Sequence, residues 1–233
     1  MTTVRLEQDT AVWRLVLDRP PANALDLDLV EAVAAALAVV EDATACRAVV
    51  ITGTGRFFSG GIDVKAIPTY DVPTRAAMLR TVNAMVTRLY GLAKPAVAAI
   101  NGHALGGALV AALACDVRVA AEGAYRIGLS EAAAGVPFPA VPLRVVEAEV
   151  TGREARLATL AGETFGPVRA LALGFVDAVV PGDVLLDAAT RRAAALADLP
   201  AFVAVKAQLR RRALGDMRAI VAEGAEPLLA HWV

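Results

Sequence analysis

The sequence predicts a single mixed α/β body that ends in a helical region. Apolar residues make up 57% of its 233 positions and charged residues 20%, enough for one main core and too apolar for a disordered chain. Five short apolar runs of strand character recur at 12–17, 48–52, 96–100, 117–120 and 176–180, separated by Ala- and Leu-rich stretches with helical spacing. From about residue 183 the pattern is helical nearly to the end. These observations place a core at 1–182 and a helical region at 183–233, with no internal repeat, low-complexity tract or interdomain linker.

Each element has a local reason. Residues 29–41 read as a helix, with Asp28 and Glu31 spaced as a capping box at its start. Thr151 and Glu154 repeat that spacing before a helix over 155–161. Gly215 is the expected break in the C-terminal helices. Between Lys94 and Asp116 there is no charged residue, a run long enough to cross a bilayer. Pro95, Asn101-Gly102 and Gly106-Gly107 interrupt it, so the segment reads as strand, turn and helix rather than a membrane span.

Charge and cysteine usage exclude several function classes. The formal net charge is −1 with Lys and Arg spread along the chain, so there is no basic field for nucleic acid or an anionic membrane. Cys46 and Cys115 lie in apolar runs without metal-ligand spacing, as small buried hydrophobes do in a reducing compartment. The start, Met1-Thr2-Thr3-Val4-Arg5, has neither the charge nor the apolar stretch of a secretory leader. A cytoplasmic protein without a metal site is the expectation.

Two glycine clusters and one carboxylate stand out. The run from Ala48 to Asp63 has the placement of a nucleotide loop, but Phe58 stands where the dinucleotide fingerprint needs glycine and Gly61 where a phosphate loop needs lysine. What remains is Gly60-Gly61 followed by Ile62, open to two readings: a tight structural turn, or a bend whose amides point outward at an anion or carbonyl oxygen. Asn101-Gly102-His103-Ala104-Leu105-Gly106-Gly107 joins a buried strand to an apolar helix beginning near Gly107. Its glycines serve either close packing or the approach of a carbonyl to the free amides of a helix start. His103, in a turn without a Ser, Cys or Asp partner, reads as structural. Glu131 is the only charge between Arg126 and Arg144. It is either a surface residue, with Ser130 or Glu131 starting a short helix, or a buried proton shuttle of raised pKa.

Together these segments resemble the enoyl-CoA hydratase/isomerase family, the crotonase superfamily, from about residue 10 to 210. The resemblance is carried by Leu17-Asp18-Arg19-Pro20-Pro21-Ala22-Asn23-Ala24-Leu25, by Phe58-Ser59-Gly60-Gly61-Ile62-Asp63-Val64-Lys65, and by Lys94-Pro95 through Gly107. Cys115-Asp116-Val117-Arg118 and the run from Leu171 to Pro181 add to it. It implies a spiral of ββα units with a helical region that builds trimers or paired trimers. It also implies an acyl-coenzyme A substrate and no cofactor beyond the coenzyme A of that substrate. By position it implies an oxyanion hole from the Ile62 and Gly107 amides. Contacts to the coenzyme A thioester would come from Ala22, Asn23, Ala24, Gly61, Asp63, Val64, Lys65, Gly106 and Val110.

The departures from the family pattern bear on the reaction. Hydratases of the family use two glutamates; the first would fall at Val110 and the second falls at Glu131. The glycine-rich stretch that follows in hydratases is replaced by Gly135-Val136-Pro137-Phe138-Pro139. One glutamate in apolar surroundings is similar instead to a Δ3,Δ2-enoyl-CoA isomerase. A hydratase, and a non-catalytic acyl-CoA-binding relative, are the alternatives. The last residues, His231-Trp232-Val233, stand where the family usually has a final helix over the acyl pocket, so a more open pocket or cover from another subunit is expected. Lys206 and Arg210-Arg211-Arg212 read as a solvated helix face or as partners for coenzyme A phosphates.

Overall fold

A computed structural model describes residues 3–8, 11–224, 226, 227 and 232. The chain opens with a hairpin of β1 (Val4–Glu7) and β2 (Val12–Leu17), followed by α1 (Leu27–Asp42). Three strand–strand–helix units follow. They are β3 (Ala48–Gly53), β4 (Phe57–Ser59) and α2 (Val72–Gly91); β5 (Ala96–Ile100), β6 (His103–Leu105) and α3 (Gly107–Ala114); and β7 (Val117–Ala121), β8 (Ile127–Gly128) and α4 (Glu131–Ala134). In each unit the first strand joins a six-stranded sheet of order β1-β2-β3-β5-β7-β9, and the second joins a small parallel sheet, β4-β6-β8. The spiral of ββα units is therefore present. Helices α5 (Ala140–Glu149), α6 (Arg153–Leu160) and α7 (Pro167–Ala172) lead to β9 (Ala178–Val180), and α8 (Leu185–Ala197) and α9 (Phe202–Glu223) follow.

Every residue of β5, and β3 up to Thr52, is buried, with helices α3 and α8 packed against β5. The register pairs Val49 with Ala96 and Val97 with Val117, stacking short apolar side chains across the sheet. Helix α8 lies on β3, β5 and β7, while α9 packs on α2 and α5. Among the described residues no helix is long and apolar enough to cross a membrane.

Several local expectations need correction. The N-cap of α1 is Asp26, whose carboxylate accepts from the Leu29 amide at 2.9 Å; Asp28 and Glu31 lie inside the helix. Helix α6 starts after Gly152 with no side-chain cap, so Thr151 and Glu154 form no box. Gly215 does not break α9: buried Leu214 and Met217 anchor the helix on either side, and the interruption falls at 198–201, around Pro200. β9 starts at 178, two residues late, because Phe175 and Val176 are buried in the preceding turn and Asp177 takes the Arg118 amide and guanidinium. β1, only four residues long, lies outside the five apolar runs.

The basic face of α9 is the largest surprise. Lys206 and Arg210 are 7% and 8% exposed, neither solvated nor free for phosphate. Lys206 binds Asp116 at 2.8 Å and the Lys94 carbonyl at 3.2 Å. Arg210 spans the carbonyls of Tyr90, Ala114 and Cys115, reaches Asp116 at 3.3 Å and stacks 4.0 Å from the Tyr90 ring. These contacts fasten α9 across the ends of α2 and α3. Arg211 and Arg212 are exposed.

Candidate active site

The two glycine clusters and the lone carboxylate come together at one cavity. Past the end of β4 the chain runs through Gly60 and Gly61 to Ile62, which forms a parallel bridge with Leu25. That bridge uses the Gly61 carbonyl and the Asp63 amide, so the Ile62 amide faces away from Leu25 and donates to no acceptor among the described residues. Past β6, Gly106 (φ 52°) turns the chain into α3, whose first residue is Gly107. A first-turn amide has no acceptor within its own helix, and none from elsewhere among the described residues reaches Gly107. The two loops touch: a Cβ on Gly61 (φ 81°) would collide with the Leu105 carbonyl and lie 3.3 Å from the Gly107 nitrogen.

Glu131, the first residue of α4, closes the third side. A Cβ on Gly106 would stand 3.2 Å from Glu131 Oε1 and 3.6 Å from Ser130 Oγ, a tight approach at a φ that itself favours glycine. Glu131 is 8% exposed and its Oε2 has no hydrogen-bond partner among the described residues. Loss of hydration on burial raises its pKa to about 7, opposed only by its own backbone amide. Of the two readings of Glu131 from sequence, burial removes the surface one.

The cavity measures about 220 Å³. Gly61, Ile62, Val64, Gly106, Gly107, Val110 and Glu131 line it. Val110, 1% exposed, gives that wall an apolar side chain. Ala22, Asn23, Ala24, Asp63 and Lys65 do not line it. Asn23 is 1% exposed and its amide is spent on the carbonyls of Thr54, Phe57 and Phe58, so its side chain holds the loop and offers a ligand nothing. The Asp63 carboxylate is taken by Arg19 and by the Lys65 and Ala66 amides, which hold its pKa below the ordinary value against the opposing cost of burial.

Sequence reasoning missed part of the wall. Val82, Met85 and Val86 of α2, Pro139 and Pro142 around the start of α5, and Trp232 also belong to it. The α2 residues lie on the stripe that also buries Met78, Leu79 and Leu89, and a helical stripe does not announce that part of it faces a void. Trp232 is 5% exposed, its carbonyl accepts from Arg75, and it forms part of the wall; His231 and Val233 lie outside the described residues. Apart from Trp232, only Glu131 and Ser130 among the lining side chains carry a nitrogen or oxygen.

Other candidates fall away. His103 stacks on Phe57 at 4.7 Å and accepts from the Arg126 amide, outside the cavity, and burial with Arg56 and Arg126 nearby lowers its pKa. Both cysteines are buried and free, and burial pushes the Cys115 thiol up to about 12. No group of three or more His, Cys, Asp or Glu among the described residues is arranged to hold a metal ion. A larger, more open cleft of about 1040 Å³ lies between α5 and α9. Its ions Asp116, Lys206 and Arg210 are committed to one another, whereas the carboxylate in the smaller cavity has an oxygen without a partner among the described residues.

Residues 7–226 match the family described as enoyl-CoA hydratase/isomerase. A probable enoyl-CoA hydratase of Bacillus subtilis is 36% identical over 137 residues, covering 58% of this chain and 53% of that protein. The probable enoyl-CoA hydratase EchA17 of Mycobacterium tuberculosis is 34% identical over 203 residues, covering 86% of this chain and 77% of its own. The crystal structure of human mitochondrial Δ3-Δ2-enoyl-CoA isomerase superposes with a TM-score of 0.87 at 27% identity, covering 99% of this chain and 95% of that one. With the ββα spiral and the glycine-lined cavity already in place, these matches make the chain a member of the enoyl-CoA hydratase/isomerase family, the crotonase superfamily of enzymes.

Proposed function

We propose that the protein is a Δ3,Δ2-enoyl-CoA isomerase that uses Glu131 as its single base. The observation that carries this reading is one unpaired, buried carboxylate beside two unengaged amides, with Val110 where a second acid would be needed to activate water. The thioester oxygen of a 3-enoyl-CoA accepts from the Ile62 and Gly107 amides, and the carbonyl becomes more basic as negative charge develops on it. Glu131 removes a proton from C2, leaving a dienolate whose charge those amides stabilise, and returns the proton to C4. The double bond moves from C3 to C2. Donors fixed in advance cost no reorganisation at that moment and act most strongly on the charge that appears in the transition state. A base with a pKa near 7 is populated in both forms at neutral pH, as a group that both takes and returns a proton must be. Apolar walls disfavour water, the reagent of the competing hydration. The reaction so written needs no metal or redox group.

A hydratase is the second reading. The names of the bacterial relatives and the Ser130 hydroxyl beside Glu131, able to hold a water, favour it. A non-catalytic acyl-CoA binder is the third. We further propose, on the family resemblance, a homotrimer or hexamer in the cytoplasm; light scattering that gives a monomer contradicts the assembly. To separate the readings, 3-hexenoyl-CoA and 2-hexenoyl-CoA are incubated with the enzyme separately. The isomerase reading expects the conjugated 2-enoyl thioester from the first and little hydration of the second. Rapid hydration of the second without any bond shift assigns a hydratase, and tight binding without turnover assigns a binder.

A further inference from the structure

From the hydrogen bonds around Ile62, we infer that Arg19 is a positioning residue: through Asp63 and Asp26 it fixes the direction of the Ile62 amide and so its grip on the thioester oxygen. This rests on the oxyanion role proposed for that amide. Four successive amides run from Gly60 to Asp63, and three of them are spent within the protein. Gly60 donates to the Ala22 carbonyl at 2.8 Å, Gly61 to Ser59 Oγ at 3.1 Å and Asp63 to the Leu25 carbonyl at 2.9 Å. The Leu25 amide returns a bond to the Gly61 carbonyl at 2.8 Å, and Ser59 Oγ donates to the Asn23 carbonyl at 2.7 Å. The loop that presents Ile62 is thus zipped residue by residue to segment 19–26, and only the Ile62 amide is left to point into the cavity.

Arg19 closes the zip. Its guanidinium reaches Asp26 at 2.7 Å and Asp63 at 3.0 Å, one carboxylate on each of the two segments, and donates to the Ala24 carbonyl at 3.1 Å. Its own amide donates to Asn23 Oδ1, tying it to the side chain that anchors β4. Both carboxylates are mostly buried, so without the guanidinium they face each other with poor hydration and push the segments apart. The Ile62 N–H shares a peptide plane with the Gly61 carbonyl, which the Leu25 amide holds while the Leu25 carbonyl holds the Asp63 amide, so a shift of segment 24–26 against Asp63 turns that plane. A planar fork with several donors holds two carboxylates in one plane in a way an ammonium does not. None of these side-chain atoms touches the cavity, which separates positioning from contact.

The test uses Arg19→Met, Arg19→Lys and Asp63→Asn, read with 3-hexenoyl-CoA kinetics and with a bound cinnamoyl-CoA thioester. The absorption of that thioester moves to longer wavelength when its carbonyl is polarised. A donor displaced by about 1 Å costs up to about 100-fold. The expected result is a fall of about 10- to 100-fold in kcat for Arg19→Met, with KM and cinnamoyl-CoA affinity within about threefold. Most of the wavelength shift is lost, and Arg19→Lys recovers part of it. If Arg19→Met does not fold, Asp63→Asn decides, with a smaller loss in the same direction. Full wavelength shift and unchanged kcat in the variants overturn the inference while the oxyanion reading stands. No shift in the bound wild type overturns the oxyanion reading, and the inference with it.

Discussion

Two carboxylates largely shielded from solvent, Asp116 and Glu131, live under opposite conditions. Asp116, at the start of β7, is surrounded by Lys206, Arg210 and the Ala96 amide, all within 3.3 Å. Glu131, at the start of α4, has no cation in contact among the described residues and one oxygen without any partner there. Desolvation is charged against both, and only the first recovers it from its neighbours. The paired acid helps fasten α9 across the ends of α2 and α3; the unpaired one keeps a proton that can be exchanged near neutral pH. In this fold the way a buried charge is compensated separates architecture from chemistry.

The comparison can be broken at either end. The largest effect is expected at the unpaired acid: Glu131→Gln keeps the shape of the cavity and loses about 1000-fold in isomerase kcat. In the wild type, kcat/KM for 3-hexenoyl-CoA rises with pH through about 7, where the base loses its proton, and the variant's residual rate shows no such limb. Next comes the paired acid. Lys206→Met leaves Asp116 with one cation fewer in a buried site and destabilises the fold by about 3–5 kcal/mol in urea titration, while kcat of the folded fraction stays within about twofold. A large kcat loss there, with stability intact, blurs the distinction.

The same contrast predicts a pH-dependent stability of defined sign. Glu131 has a folded pKa of about 7, above its ordinary 4.5, so the folded state holds a proton that the unfolded chain has already lost between those values. Stability therefore falls as pH rises from about 4.5 to about 7, and the full penalty, of order 3 kcal/mol, stands above that. Glu131→Gln removes the penalty, so it is more stable than the wild type at pH 8 and no more stable at pH 4. Equal stabilities at both pH values contradict the burial argument. The smallest effect is expected at the cavity wall: Trp232→Ala enlarges the space for the acyl chain. It should shift kcat/KM for decenoyl-CoA against hexenoyl-CoA by about tenfold toward the longer substrate.

How far the sequence revealed this depended on whether a feature is local. The core strands were legible because runs such as Ala96–Ile100 are buried on both faces and bounded by proline and glycine. The cavity-lining glycines were legible because their spacing in the chain matches the two loops that meet in space. Glu131 stood out because its surroundings in sequence are apolar, and they remain so in the fold. What failed depended on distance along the chain. Arg210 looked like a surface cation until Tyr90 and Cys115, about a hundred residues away, supplied its acceptors. Trp232 gave no sign of reaching the cavity. The side-chain roles of Asn23 and Asp63, which bond the loops that shape the site, are likewise set by residues distant in the chain. Helix starts failed on competition: Asp26 won the cap of α1 because it lies in extended backbone just before the helix, where a carboxylate reaches the Leu29 amide.

The most direct measurement is a crystal structure of Glu131→Gln with 3-hexenoyl-CoA bound. The expected arrangement has the thioester oxygen about 3 Å from both the Ile62 and Gly107 nitrogens, with the carboxamide introduced at position 131 against C2 and C4. A thioester oxygen bound away from those amides, or the side chain at 131 turned out to solvent, contradicts it.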